Sequence, residues 1–128
     1  MSAIPELNAV QIAGTLARAP KAKKSKQGFD VAELTLVNKR TRTRGDTETV
    51  TLTYVIVEFW DRPATKLIKL DLKAGTGIMI EGLLWLRVWT NKVTGKGENR
   101  LIVMGNTFRV LDTPDAVYEP EEPDQCQP

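Results

Sequence analysis

Two tryptophans bracket an arginine in the segment GTGIMIEGLLWLRVW, positions 75 to 89. A β-strand sends successive side chains to opposite sides, so Trp85, Arg87 and Trp89 would share one face with Glu81 and Leu83. Ile78, Ile80, Leu84, Leu86 and Val88 would line the other, which reads as core. Flat π-faces beside fixed positive charge are what a sequence-tolerant site for unpaired nucleobases needs.

A second run, Thr49 to Trp60, repeats the pattern. Val55, Val57 and Phe59 form an apolar face, leaving Tyr54, Ile56, Glu58 and Trp60 opposite. Glu58 on that face predicts exposure. Because a carboxylate repels phosphate, the path of a bound strand should avoid it or a neighbouring base should neutralise it. Glu81 reads as a structural hydrogen-bond acceptor or salt-bridge partner. A lone tryptophan is more often a packing residue than a ligand contact, and for Trp60 and Trp89 it is parity that argues against packing. Trp85 is open to two roles, a stacking platform or a subunit contact, and Arg87, between two indoles, is better read as a nucleic-acid contact than as a plain surface charge.

Charge is divided along the chain. Residues 1 to 111 hold all 18 Lys and Arg against 10 acids, a balance of +8, while Asp112 to Pro128 holds six acids and no base. This predicts a polyanion-binding domain over 1–111 and an acidic, Pro-rich, disordered tail over 112–128. The bases cluster: Arg18, Lys21, Lys23, Lys24 and Lys26; then Lys39, Arg40, Arg42 and Arg44; then Lys92, Lys96 and Arg100. Any one cluster alone reads as a solvated loop tip. Three in one small domain read as a phosphate-tracking surface, to which Arg62 and Lys73 also belong.

Composition excludes much else. The chain has no histidine, which removes imidazole catalysis, a Ser/His/Asp triad and His-ligated metal. The single cysteine, Cys126, leaves no intrachain disulfide and no zinc cluster, and a reducing, cytoplasmic setting fits. No apolar run approaches a membrane span, and MSAIPELNAV lacks the pattern of a signal peptide. The paired acids of the tail have no shell to hold them, and neither GTGI nor TGKGEN has the lysine and hydroxyl spacing of a phosphate-binding loop. No enzyme activity, cofactor or metal is expected.

These residues need elements to hold them. A first strand is predicted over roughly 8 to 16, then a polar loop, PKAKKSKQG. A second strand runs from about Phe29 to Asn38, with Ala32, Leu34 and Leu36 on one face, and TRTRGD breaks it. The third strand covers Thr49 to Trp60. Next, Asp61 can cap a helix with Pro63 in its first turn and Ala64, Leu67, Ile68 and Leu72 at helical spacing, and Lys73 to Gly75 suit its end. After the tryptophan-bearing strand, NKVTGKGEN connects to a fifth near Arg100 to Leu111. An all-β chain with one helix between strands three and four is the order of an OB-fold, a five-stranded Greek-key barrel.

The segments NAVQIAGTLARAP, YVIVEFWDRPA and GTGIMIEGLLWLRVW with TNKVTGKGENR carry a resemblance to bacterial-type single-stranded DNA-binding proteins over roughly residues 8 to 111. The resemblance implies that Tyr54, Trp60 and Trp89 stack on unpaired bases. A fourth stacking tryptophan is common after the second strand, and here Arg42 falls in or near that place; a guanidinium can also stack. Trp85 is an addition to the usual pattern. The resemblance further implies single-stranded DNA as ligand, a homo-oligomer, usually a tetramer, with the first strand as a pairing edge, and a role in replication, recombination and repair. Similar proteins end in an acidic tip with a hydrophobic residue that docks on replication and repair enzymes. This chain ends in YEPEEPDQCQP, which puts that recruitment in question and suits a phage, plasmid or specialised paralogue. Two other readings stay open: a primosomal or accessory OB-fold protein acting through partners, and an RNA-binding OB module.

Overall fold

The computed structural model describes residues 4–113; the tail beyond lies outside the described residues, so the expectations placed on it are not addressed by the fold. Six strands and one helix follow in the order β1 (Val10–Leu16), β2 (Lys21–Lys24), β3 (Asp30–Arg44), β4 (Thr47–Trp60), α1 (Arg62–Lys69), β5 (Gly77–Thr90) and β6 (Gly97–Asp112). The sheet order is β1-β5-β6-β4-β3-β2, and an additional β1–β3 pairing closes β1, β5, β6, β4 and β3 into a five-stranded barrel. This is the OB-fold. All pairings are antiparallel except β4 with β6.

Alternation in β3, β4 and β5 supplies the core. Leu34 and Leu36, Val57 and Phe59, and Ile78 and Ile80 are all fully buried, and α1 covers the interior with Ala64 and Leu67. Each such leucine, isoleucine or phenylalanine contributes roughly 1.5–3 kcal/mol by leaving water. Phe108 of β6 meets Phe59 edge-on at 5.5 Å between ring centroids.

The helix departs from expectation at both ends. Asp61 occupies the N-cap position, but its side chain makes no capping hydrogen bond; its carbonyl instead accepts from the backbone N–H and hydroxyl of Thr65. The helix ends at Lys69, well before Lys73, because Asp71 takes a positive φ of 51° and turns the chain. Leu72 still reaches the core from the loop.

The segment predicted as the loop PKAKKSKQG contains β2, which pairs with β3 from Lys21 opposite Glu33 to Lys24 opposite Asp30. Its lysines show no apolar alternation; their partners are the acids of the neighbouring strand. Lys23 bridges Glu33 at 2.6 Å and Lys24 bridges Asp30 at 2.5 Å. A strand held by cross-strand charge has no single-strand signature.

Two arms leave the barrel. β1 pairs with β3 only as far as Val37, so beyond it β3 and β4 continue as a two-stranded ribbon. The predicted stop at Asn38 is thus passed, and the strand runs to Arg44, supported by Thr47, Thr49 and Thr51 across the ladder and by a two-residue turn with Gly45 at φ 62°. Likewise β1 leaves β5 at Gly82, where a register shift also marks the β5–β6 ladder. A Cβ on Gly82 would stand 2.1 Å from the Met104 carbonyl oxygen, so only glycine permits this close crossing. Leu84, Leu86 and Val88, predicted as core, are consequently exposed on the β5–β6 arm. At the start of that arm the side-chain amide of Asn8 donates to the Leu84 carbonyl (2.9 Å) and accepts from the Leu84 N–H (2.8 Å).

Candidate nucleic-acid interface

The outward face of β4 carries Tyr54, Ile56, Glu58 and Trp60, as the alternation of the strand requires. On one side β4 pairs with β3, placing Val37 opposite Tyr54 and Thr35 opposite Ile56; on the other, Glu58 pairs with Met104 of β6. β6 in turn pairs with β5, so Ile102, Arg100 and Glu98 stand opposite Trp85, Arg87 and Trp89. Four adjacent strands therefore assemble one continuous surface from residues far apart in the chain.

Its aromatics are open to solvent. Tyr54 is 63% exposed, Trp85 51%, and Trp60 and Trp89 40% each. Between Tyr54 and the basic end of β2 lies a groove of about 360 Å³ lined by Arg18, Lys21, Glu33, Thr35, Ile56 and Arg100. The Tyr54 ring and the Arg18 and Arg100 guanidinium groups at this groove, with the indoles elsewhere on the same surface, can stack bases and neutralise the phosphates that join them.

Glu58 reverses the expectation of exposure: it is buried, at 3%. One carboxylate oxygen accepts from the indole N–H of Trp60 at 3.1 Å, and the other is ion-paired and hydrogen-bonded with Nη1 of Arg87. Arg87 is thus the base that neutralises it. Directly across the ladder, Glu33 is held below the usual carboxylate range chiefly by its hydrogen bond from Lys23, against some opposition from burial. Glu81 accepts hydrogen bonds from Gln11 (2.5 Å) and Thr107 (3.1 Å).

The remaining predicted residues divide. Lys39 lies across from Leu52 and shares the face of Tyr54, whereas Arg40, Arg42 and Arg44 pair with Thr51, Thr49 and Thr47 on the opposite face of the arm. Lys92 and Lys96 sit at the tip between β5 and β6, where the Asn91 side chain accepts from the N–H groups of Val93 and Thr94. Arg62 lies in the first turn of α1, and Lys73 follows the helix, bridged to Asp71 at 3.1 Å; neither shares a strand with the aromatics. Arg18 and Lys21 line the groove although the sequence marked them only as part of a basic cluster, because nothing local announces β2.

The model of the single-strand binding protein family matches residues 7–111. The chain belongs to that family. Among solved structures it is similar to a deletion variant of the single-stranded DNA binding protein from Thermus aquaticus, with 26% identity and a TM-score of 0.71 over 83% of this chain and 51% of that one. The present chain thus spans about half the length of that relative. It also resembles the fold of a Plasmodium falciparum SSB solved in complex with single-stranded DNA, with a TM-score of 0.72 and 19% identity over 87% of this chain and 100% of that one. No curated protein matches.

Proposed function

We propose that this chain binds single-stranded DNA with little sequence preference, without catalysis, and so protects and presents it in replication, recombination and repair. The observation that carries the reading is the single exposed face on which Tyr54, Trp60, Trp85 and Trp89 surround Arg87 and Arg100, in a chain of the single-strand binding protein family. Bases stack on the rings, Arg18, Lys21 and Arg100 neutralise phosphate along the groove, and Lys39 does so farther along the Tyr54 face. Arg40, Arg42, Arg44, Lys92 and Lys96 extend the positive field along the two arms.

A homo-oligomer is part of the proposal. Leu84, Leu86 and Val88 of β5 and Leu101 of β6 are exposed apolar residues, and Leu86 stands directly opposite Leu101. A patch of this kind on a folded domain calls for a cover, and a second copy of the chain supplies one. No helix among the described residues is long and apolar enough to cross a membrane. The deciding experiment titrates matched DNA and RNA oligomers while following tryptophan fluorescence and solution mass. Tight, quenching binding to DNA by an oligomer supports the reading, preference for RNA favours an RNA module, and weak binding to both favours an accessory protein.

A further inference from the structure

Glu58 is the one charged side chain among the described residues that is buried. Taking a carboxylate out of water costs several kcal/mol before any partner is counted, and an apolar side chain at such a position is often as stabilising or more so. Its same-face neighbours disfavour a charge of its sign: Ile56 on β4 and Met104 on β6 are apolar, and Glu33 directly across the ladder is a like charge. The charge is better explained by what it holds. Its two oxygens engage Trp60 and Arg87, which stand on different strands and belong to the surface assigned to DNA.

We propose that Glu58 is a positioning residue that fixes the indole plane of Trp60 and keeps the Arg87 guanidinium neutralised beside it, so that Arg87 meets a nucleobase and not a phosphate. The inference rests on the single-stranded DNA reading of this face and assigns the chemistry of one contact within it. A guanidinium whose charge is matched by a buried carboxylate has no counterion to release when DNA arrives, so it adds little to the salt-dependent part of binding. It keeps a planar π-face and further N–H donors, and its side chain is 47% exposed. Those are the means by which arginine stacks on a base or bonds to paired acceptors such as N7 and O6 of guanine.

Arg100 makes the contrast. It is the direct cross-strand partner of Arg87, yet no carboxylate among the described residues lies within salt-bridge distance of it. Among the described residues it has no ion-pair partner, and it lines the groove with Tyr54 and Glu33. Two arginines side by side thus divide the work: Arg100 answers the phosphate, Arg87 the base.

The test measures oligo-deoxythymidine affinity against salt concentration for the full chain and three variants. Each phosphate neutralised on a single strand contributes about 0.7 to the slope of log affinity against log salt. Arg100→Ala should flatten the slope by about 0.7. The double variant Glu58→Gln with Arg87→Ala, which leaves no buried charge orphaned, should lower affinity roughly tenfold with the slope unchanged. Glu58→Gln alone, nearly isosteric, should steepen the slope by about 0.7 as Arg87 is released to a phosphate. Pinning of Trp60 is read without DNA: in a chain whose other two tryptophans are replaced (W85F, W89F), Glu58→Ala should lower the fluorescence anisotropy of Trp60. If the double variant flattens the slope as Arg100→Ala does, or if Trp60 anisotropy is indifferent to Glu58, the proposal is overturned. Failure of the parent chain to bind the oligomer overturns the DNA reading instead, while the anisotropy result still decides whether Glu58 positions Trp60.

Discussion

Glu33 and Glu58 face each other directly across the β3–β4 ladder. Like charges in that relation are destabilising, and here each is matched by a cation from a different strand: Lys23 from β2 for Glu33, Arg87 from β5 for Glu58. The consequence is a row of four charges across the sheet from β2 to β5, with two carboxylates side by side at its centre and a cation at each end. Removal of Lys23 therefore acts on more than one ion pair, because it leaves Glu33 unmatched beside a second carboxylate.

Acid should weaken the fold through β2. Asp30 lies below its ordinary value of 3.8, chiefly through its hydrogen bond from Lys24 and then that from Thr65, and Glu33 lies below its ordinary 4.5 chiefly through Lys23. A depressed carboxylate releases its proton more readily when folded, so its contribution is complete above the ordinary value and is lost as pH falls through the lower folded one. Thermal melts should be nearly flat above about pH 5 and decline below about pH 4. Asp30→Asn and Glu33→Gln should each reduce that decline relative to the parent, and a decline identical in all three would contradict the assignment. Both side chains keep partial contact with solvent, so the change per residue should be small.

Stacking is tested at Trp60 and Trp89. Each change to alanine should weaken single-stranded DNA binding by roughly 1–3 kcal/mol, and the parent's tryptophan emission should fall on binding. Unchanged affinity in both variants would remove the aromatic face from the site.

Arg42 and Arg44 are tested together. Both lie on the arm, on the face turned away from Tyr54. If DNA wraps the arm, replacing both with alanine should flatten the salt slope by about 1.4, two phosphates at about 0.7 each. A slope equal to the parent's would confine the DNA path to the Tyr54 face.

The crossing of β5 over β6 is tested at Gly82. A Cβ there meets the Met104 carbonyl at 2.1 Å and the Gly105 Cα at 2.9 Å, both backbone atoms that cannot swing aside. Gly82→Ala should cost roughly 1–3 kcal/mol in chemical denaturation, the range for forcing extra volume into a packed site. Gly97, where a Cβ would meet nothing within 4 Å, is the control and should tolerate alanine.

The barrel was legible in the sequence where burial imposes a period. Leu34 with Leu36, Val57 with Phe59 and Ile78 with Ile80 alternate because one side of each strand faces the core, and those residues are buried as read. The same reasoning failed past Gly82, since Leu84, Leu86 and Val88 continue the apolar alternation after the barrel has ended. Periodicity reports that a face is apolar and not what covers it. Parity also placed Tyr54 and Trp60 together outside the barrel, yet it could not show Glu58 buried, because the cation responsible arrives from 29 residues away. β2 was invisible for a similar reason: its support is the charge of Asp30 and Glu33 on another strand.

Asn8 gives the β5 edge an unusual ending. A strand grows sideways by offering one N–H and one carbonyl at each paired residue, and the Asn8 amide offers that donor and acceptor from a side chain. Leu84 is thereby satisfied without a further backbone laid against it. Whatever chain approaches this edge from outside finds its first rung already occupied, and must either displace Asn8 or begin farther along the arm. The small amide thus works as a stop that limits sheet-to-sheet growth, the hazard to which an unpaired strand edge is otherwise exposed.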